Sequence, residues 1–203
     1  MKIRFLGHAS FIIEEKVKVA IDPFHVSVIE PMDFIFITHS HFDHFSSRDI
    51  GKLSGENTLL IGPEGCRKKL EALSGNILPV KPSKEYNPGV RFKTLPAYNK
   101  RRPFHLKRKN WVGYLIFLEE SVYHPGDTDF LEEMRGLEPD VFFAPVSGFF
   151  TMGAKQAAEA VAEIRPKRVI PMHYGKIIGS RKNAEKLKSL SSIPVEILEP
   201  EIP

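Results

Sequence analysis

Residues 34–44 read Phe34-Ile35-Phe36-Ile37-Thr38-His39-Ser40-His41-Phe42-Asp43-His44, and this stretch decides the fold. An apolar run is followed at once by three imidazoles and one carboxylate within six consecutive positions. Histidine nitrogens and carboxylate oxygens are the groups that zinc, manganese, iron and nickel bind in proteins. Packing alone does not explain so dense a group of ligands at the end of a strand. The stretch therefore predicts the first half of a metal centre.

The spacing within this stretch indicates two sites. Side chains alternate between faces along an extended chain, so His39 and His41 point the same way and can reach one metal ion. Asp43 and His44 lie where the chain turns toward the next helix. Because they point differently, we expect them at a second site.

Two further segments place ligand residues after apolar runs that are typical of strands. One is His124-Pro125-Gly126-Asp127-Thr128-Asp129, and the other is Ile170-Pro171-Met172-His173-Tyr174-Gly175. A lone histidine is more often structural than a ligand, and strand alternation turns His124 away from Asp127. His124 is therefore interpreted as structural. Three separate strand ends that supply His or Asp favour one shared metal site.

The rest of the sequence predicts one α/β domain that spans residues 1–203. Period-two patterns predict several strands early in the chain, and helical patterns alternate with strands later. Ser46 is expected to cap a helix with Asp49 in the capping-box position, and Pro63 to open the next helix. Further helices are predicted at 153–164 and 181–190. The predicted strands cover residues 2–6, 10–14, 17–21, 33–38, 58–61, 77–80, 90–95, 111–118, 121–124, 141–144, 169–172 and 195–198.

The composition indicates an ordinary soluble globular protein, with 42% hydrophobic and 27% charged residues. No segment resembles a signal peptide, and no apolar run is long enough to span a bilayer, so we expect no membrane partner. The single cysteine, Cys66, suits a reducing compartment and is expected to be packed. Cytoplasm is the expected location.

The formal net charge is +4, and much of the excess lies in one predicted loop at 96–110. This basic tract is either a solvated surface loop or a region that attracts a small anionic substrate. It lacks the interleaved aromatic residues of a single-strand binding platform, which disfavours nucleic acid as a partner. Its basic residues are Lys100, Arg101, Arg102, Lys107, Arg108 and Lys109.

The three ligand segments together resemble the metallo-β-lactamase superfamily over nearly the whole chain. Ile21-Asp22-Pro23 and the opening Leu6-Gly7-His8-Ala9-Ser10 add to the resemblance. It implies a four-layer αβ/βα sandwich of two mixed β-sheets flanked by helices, with the metal site at one edge of the sheets. The likeness is greatest to a branch of small metal-dependent hydrolases. That branch is similar to L-ascorbate-6-phosphate lactonase and to N-acylphosphatidylethanolamine-hydrolysing phospholipase D.

The resemblance also assigns roles to individual residues. His39 and His41 match ligands of the first metal, and Asp127 matches a catalytic carboxylate that bridges two metals. Ligands of the second metal are matched by Asp43, His44 and His173. Asp22 matches an aspartate that orients one of the motif histidines and fixes its tautomer. Alternatively, Asp22 is only a turn residue before a proline.

One ligand of the first metal departs from the family pattern. Related proteins often read Pro-Ala-Gln-His at this point, whereas this chain reads Pro96-Ala97-Tyr98-Asn99. Asparagine is a poor ligand for a transition metal, so Asn99 is expected to support the site from behind. His105 is the obvious substitute ligand; otherwise it is a loop histidine that contacts substrate or solvent. Without His105, a site for a single tightly bound metal is expected.

His8 lies in the turn between the first two predicted strands, which the resemblance places near the metal edge. It is predicted to be catalytic, as a general acid or as an electrostatic stabiliser of substrate or bound water. The alternative is a histidine that caps strand carbonyls in a turn.

The resemblance implies a metal-dependent hydrolase that uses a metal-bound hydroxide to cleave an ester, a lactone or a phosphodiester. One or two divalent ions are expected, with zinc favoured and manganese, nickel or iron as alternatives. A second hypothesis is a nuclease-like or nucleic-acid-binding metalloprotein, and a third is an iron-containing redox or metal-sensing module. The sequence leaves the substrate and the oligomeric state open.

Overall fold

Twelve strands form two six-stranded sheets in a computed structural model that describes residues 1–27, 29–73, 75–100, 102–175 and 177–201. The first sheet has the order β1-β2-β3-β4-β5-β6, and the second has the order β12-β11-β10-β9-β8-β7. The first sheet contains β1 (Lys2–Gly7), β2 (Ser10–Glu14), β3 (Lys18–Ile21), β4 (Phe34–Phe36), β5 (Leu59–Pro63) and β6 (Asn76–Val80). The second contains β7 (Glu85–Tyr86), β8 (Arg91–Pro96), β9 (Val112–Phe117), β10 (Ser121–His124), β11 (Val141–Pro145) and β12 (Arg168–Met172).

Both sheets are mixed. Strands β1 to β3 pair antiparallel, and β3 to β6 pair parallel. Strands β7 to β10 likewise pair antiparallel, and β10 to β12 pair parallel. Parallel strands send their carboxyl ends to one edge of a sheet, and that edge carries the ligand-rich loops.

Four helices cover the outer faces of the sheets and complete the expected four-layer sandwich. They are α1 (Ser47–Leu53), α2 (Arg67–Glu71), α3 (Ala154–Ile164) and α4 (Arg181–Leu190). Helices α1 and α2 bury Ile50, Leu53 and Leu70 in a core on the first sheet, and α3 and α4 pack on β11 and β12 of the second.

The central core lies between the two sheets and is largely aromatic. The rings of Phe11 and Phe143 stack with centroids 4.0 Å apart, and Phe36 packs edge-on to Tyr114 at 4.9 Å. Along β4, Phe34 and Phe36 belong to this core, whereas Ile35 faces the helices. The apolar run before the ligand segment is therefore buried on both faces, which explains why it does not alternate.

Ser46 caps α1 as expected, because its hydroxyl oxygen accepts from the Asp49 N–H. The Asp49 carboxylate does not complete a reciprocal capping box. It accepts from the Ser46 hydroxyl and from the backbone N–H groups of His25 and Val26. Asp49 thus ties the loop after β3 to this helix.

Three expectations about secondary structure are wrong. Pro63 ends β5 and does not open a helix, since a 3₁₀ turn (Glu64–Cys66) precedes the short α2. Residues 195–198 do not form a strand; Val195 makes only an isolated parallel bridge to Val169. The two-residue edge strand β7 lies between the strands predicted at 77–80 and 90–95, where no strand was predicted. Pairing between strands decides all three: Pro63 and β7 have strand partners, whereas residues 195–198 have only the Val195 bridge.

Among the described residues, no helix combines the length and apolar character needed to cross a membrane. Cys66 is fully buried against the first sheet, as predicted, and burial raises the pKa of its thiol to about 11.

Candidate metal centre

The predicted site residues meet at one edge of the two sheets, although they come from distant parts of the chain. His8 lies in the turn between β1 and β2, and Asp22 directly follows β3. The motif 39–44 follows β4, Asp127 follows β10, and His173 follows β12. The edge therefore collects strand-end residues from both sheets.

His39, His41 and His105 form the first group of possible ligands, with one ring nitrogen from each within 4.8 Å of the others. His39 and His105 are buried, and His41 is half-buried. The pairing of His39 with His41 is the arrangement that strand alternation predicts. The third member is His105 and not Asn99, although His105 follows the family-pattern position by six residues.

Asn99 lies behind His105 and orients it. The Asn99 side-chain amide donates to the carbonyl of Phe150 at 2.9 Å and toward Asp129 Oδ1 at 3.3 Å. Its Oδ1 is then left to accept from His105 Nδ1, at 2.9 Å. A proton on Nδ1 leaves Nε2 as the free nitrogen, and Nε2 points at Asp127 Oδ2, 3.3 Å away. Partners of this kind fix the tautomer of a ligand histidine.

The second group contains His8, Asp43, His44 and His173, again with one donor atom from each within 4.8 Å of the others. Asp127 lies between the two groups. Its Oδ1 is 3.3 Å from His44 Nε2, and its Oδ2 is 3.0 Å from His173 Nε2. Together with the His105 contact, these distances put Asp127 where a bridging carboxylate belongs.

Asp22 is fully buried and accepts three hydrogen bonds. Its Oδ1 accepts from the Thr38 N–H at 2.7 Å, and its Oδ2 accepts from the Thr38 hydroxyl at 2.6 Å. His44 Nδ1 lies 2.7 Å from the same Oδ2. Asp22 therefore fixes the position of His44 and also the backbone at the start of the ligand segment, which a simple turn residue would not do.

Ser147 is the partner of His173, and the sequence analysis assigned it no role. Its hydroxyl lies 3.0 Å from His173 Nδ1, so that Nε2 faces Asp127. His173 has a φ of 60°, a left-handed conformation that is uncommon for a residue with a side chain. The signal that could have found Ser147 is its position just beyond the end of β11, at the same edge as the other strand-end residues.

His8 contacts the second group directly. Its Nε2 is 3.0 Å from Asp43 Oδ2, and its ring centroid is 4.1 Å from that of His173. Its Nδ1 is buried and has no hydrogen-bond partner among the described residues. Burial lowers the pKa of His8 to about 4, although the hydrogen bond to Asp43 opposes this. The ring faces the ligand groups and does not cap a strand carbonyl.

The electrostatics of the site centre on two buried, oppositely charged groups. Burial opposes the charged form of both, but neighbouring charges outweigh it. The imidazoles of His173 and His44 hold the pKa of Asp127 well below its usual range. The carboxylates of Asp127 and Asp22 raise the pKa of His44 well above its usual range. Ligation of a cation by His44 requires the neutral ring and would release this proton.

Several polar atoms at the centre of the site fit a metal ion better than any protein partner. His44 Nε2, His105 Nε2, His173 Nε2 and Asp127 Oδ1 are buried, and none has a hydrogen-bond partner among the described residues. Native proteins rarely leave buried polar atoms unpaired. Each of the three imidazole nitrogens lies 3.0–3.3 Å from a carboxylate oxygen of Asp127, and these nitrogen and oxygen atoms match the donor set of zinc and similar divalent ions.

Trp111 and His124 lie near the two ligand groups and have different contacts there. Trp111 lies against the first group, with its ring centroid 4.9 Å from those of His39 and His41. His124 is structural as predicted: its Nε2 contacts the carbonyl of Ala9 at 2.9 Å, and it belongs to neither ligand group.

The basic tract is mostly turned to solvent. Lys107, Arg108 and Lys109 form an exposed 3₁₀ turn, and the Arg102 guanidinium donates to the carbonyls of Gly148 and Phe149. Arg101 lies outside the described residues. Attraction of an anionic substrate by this tract stays a prediction.

Comparisons with known proteins agree with this geometry. Residues 2–173 match the family described as the β-lactamase superfamily domain. A UPF0173 metal-dependent hydrolase of Pyrococcus abyssi is 32% identical over 211 residues, which cover 94% of this chain and 92% of that protein.

Solved structures show the same fold. A protein of Parabacteroides distasonis, named as a candidate metal-dependent hydrolase, has a TM-score of 0.84 and 30% identity, with 98% of this chain and 93% of that chain covered. Igni18, a metallo hydrolase of Ignicoccus hospitalis, has a TM-score of 0.79 and 24% identity, with 98% and 94% covered.

Proposed function

This chain belongs to the metallo-β-lactamase superfamily, and from that premise we propose that it is a metal-dependent hydrolase of a small anionic ester, lactone or phosphodiester. The observation that carries the proposal is the set of four buried, unpartnered donor atoms around Asp127. The names of the similar proteins from Pyrococcus abyssi and Ignicoccus hospitalis support the same class of reaction. The cytoplasm is the proposed location.

The two ligand groups would hold one or two divalent ions. His39, His41 and His105 would hold the first, and Asp43, His44 and His173 the second, with Asp127 between them. Zinc is the favoured ion, and manganese, nickel and iron suit the same donors. When bound, such ions lower the pKa of water toward neutrality and polarise a carbonyl or phosphoryl oxygen.

The protein's own contribution is to hold its donors in fixed orientations. Asp22 fixes His44, Asn99 fixes His105, and Ser147 fixes His173, each through the ring nitrogen that faces away from Asp127. Preorganised donors do not have to be reoriented during the reaction, which is the main electrostatic advantage of an enzyme site. Trp111 covers the first group and limits the access of bulk solvent to His39 and His41.

His8 is placed to contact substrate from the side of the second group. When its Nε2–H donates to Asp43, Nδ1 becomes an acceptor with no partner among the described residues. The lowered pKa of His8 keeps the ring neutral near pH 7. We therefore assign His8 the role of accepting a hydrogen bond from water or from a substrate hydroxyl, as an electrostatic stabiliser.

A nuclease-like or nucleic-acid-binding function is the alternative. The exposed turn Lys107–Lys109 is the feature that would serve it. Binding to phosphate backbones weakens steeply with salt. A gel shift with unrelated oligonucleotides that is lost at high salt would favour this function over a small-molecule hydrolase.

The proposal is tested by metal analysis joined to a substrate panel. Protein purified without chelator is assayed for bound metals, stripped with EDTA and restored with zinc, manganese, nickel or iron. Each form is then given lactones, phosphodiesters, aryl esters and thioesters. We expect turnover that depends on restored metal and follows one substrate class.

Two variants separate metal binding from folding. His173→Ala is expected to lose bound metal, whereas His25→Gln, which changes an exposed imidazole outside both ligand groups, is expected to keep the wild-type metal content. Folded wild-type protein that binds no divalent metal, or equal turnover by stripped and restored protein, would refute the proposal.

A further inference from the structure

A pocket of about 640 Å³ opens beside the second ligand group and shares His8 with it. This volume lies within the usual range for small-molecule sites. The pocket is walled by the loop after β3, by the start of α1 and by the segment after His173. A substrate whose reacting bond lies at the ligand groups would therefore extend its remaining part into this space.

The wall nearest His8 is largely apolar. Phe24, Val26, Tyr174 and Ile177 contribute to it. The Tyr174 hydroxyl donates to the carbonyl of Leu198 at 3.2 Å, so Tyr174 contributes its ring to the pocket wall. Ile177 is 44% exposed, so its side chain is available to contact a bound apolar group. These surfaces favour an apolar body in the pocket.

Among the described residues of the same wall, the charged side chains leave one positive charge over. Asp49 is saturated by bonds from Ser46, from two backbone N–H groups and from Lys52. Lys52 also donates to the carbonyl of Val26, so its charge is balanced by Asp49 and two of its three N–H groups are used. Arg48 lines the pocket, and within the described part of the chain its guanidinium has no ion pair or hydrogen bond.

We propose that this pocket binds the non-reacting part of the substrate, an apolar body that ends in a single negative charge, and that Arg48 is the specificity-determining residue that pairs with this charge. The inference rests on the proposed function and narrows its substrate class. One free guanidinium balances one negative charge, and a carboxylate is the simplest group that carries a single negative charge. The described residues of the basic tract do not line this pocket, so the proposed selectivity does not come from them.

A binding experiment tests the pocket without relying on turnover. The metal-loaded full chain is titrated with 4-phenylbutyrate, with its uncharged amide 4-phenylbutanamide and with 3-phenylpropyl phosphate, and the dissociation constants are measured by calorimetry. Charge-assisted hydrogen bonds to guanidinium favour the carboxylate, and we expect it to bind about ten-fold more tightly than the amide. The dianionic phosphate is expected to bind no more tightly than the carboxylate.

Three variants locate the effect. Arg48→Gln should abolish the preference for carboxylate and leave amide binding unchanged. Arg108→Gln, a matched change of an exposed arginine that does not line the pocket, should keep the preference. Ile177→Ser should weaken the binding of both probes roughly two- to five-fold, because it removes apolar contact from the wall.

Three results would overturn the inference. A preference for carboxylate that survives Arg48→Gln would place the anion on the metal ions instead. If neither 4-phenylbutyrate nor its amide bound at millimolar concentration, the pocket would not be the binding site for this part of the substrate. If the dianionic phosphate bound more tightly than the carboxylate, the assignment of a single negative charge to the substrate would be overturned. Failure of the hydrolase proposal shows as absence of metal-dependent turnover and leaves these binding constants unaffected, so the two failures are distinguishable.

Discussion

Asp22→Asn isolates the contribution of one buried carboxylate to the metal centre. The substitution keeps size and shape, and asparagine tolerates the left-handed backbone at this position, where φ is 44°. Asn Oδ1 can still accept from the Thr38 N–H. The new NH₂ group replaces Oδ2, which in the wild type faces the Thr38 hydroxyl at 2.6 Å and His44 Nδ1 at 2.7 Å.

The cost follows from these contacts. The hydroxyl of Thr38 can rotate and accept from the new amide, but His44 Nδ1–H is left facing a second donor. An unmade hydrogen bond at a buried donor costs about 1–3 kcal/mol. Loss of such an orienting partner typically lowers metal affinity about 10- to 100-fold, or ~1.4–2.7 kcal/mol. We therefore expect both the free energy of unfolding of the metal-free chain and the affinity for zinc to fall.

Two measurements check this prediction. Urea unfolding in EDTA gives the stability change, and competition with a chromophoric chelator gives the zinc affinity. Asp33→Asn is the matched control, because Asp33 is exposed and its carboxylate accepts only from the Lys18 N–H. Unchanged zinc affinity in Asp22→Asn, with wild-type stability, would show that the contact to His44 does not orient a ligand.

Two further predictions concern packing and proton linkage. Gly113→Ala would place a methyl group 2.7 Å from the backbone of Pro125, two residues before Asp127, and should cost about 1–3 kcal/mol of stability in urea. Gly51→Ala in α1 meets nothing within 4 Å and should add about 0.5–1 kcal/mol; equal effects of the two changes would contradict the packing. For His8, the folded-state pKa of about 4 lies below the ordinary histidine value of 6.5, so its contribution to stability is present above pH 6.5 and is lost as the pH falls toward 4. Urea titrations in EDTA should show this loss at up to about 1.4 kcal/mol per pH unit, and His8→Asn, which tolerates the same backbone, should show a shallower dependence.

The sequence alone was sufficient to predict those elements whose signals lie in a short stretch of chain. The apolar run before the ligand segment predicted a strand buried on both faces, and Phe36 and Ile35 do face different cores. The period-two patterns located the early strands to within a residue or two. The resemblance to the metallo-β-lactamase superfamily, carried by the motif residues, gave the two flanked sheets, and the comparisons confirm it.

What the sequence could not supply is which side chains meet across the fold. It left His105 either as a substitute ligand or as a loop histidine, and only the loop geometry puts His105 in the ligand group with Asn99 behind it. The position of Ser147 just beyond a strand was a weak signal, since a serine there is common. The ligand roles themselves stay predictions until a metal is bound and measured.

The basic tract and the pocket differ in how visible they are in the sequence. The run of basic residues at 100–109 is conspicuous, and its attraction of an anionic substrate stays a prediction, whereas Arg48 is a single basic residue among polar neighbours. Charge density along a chain does not indicate which guanidinium is left without a partner after folding. Among the described residues that line the pocket, the pairing of Lys52 with Asp49 leaves Arg48 as the cation without an ion pair.

Each ligand group draws on both β-sheets: His105 comes from the second sheet to join two histidines from the first, and His173 does the same for Asp43 and His44. A cation held by either group would therefore link the two sheets, which the chain joins at residues 81–84 between β6 and β7 and again where the C-terminal segment returns to β1, with the Glu201 N–H donating to the Phe5 carbonyl. Cutting the chain at residues 81–84 would leave two fragments that need each other's donors to complete either coordination sphere. Their reassembly would then respond to the free concentration of the ion, which makes the fold a natural starting point for a split reporter of divalent metal.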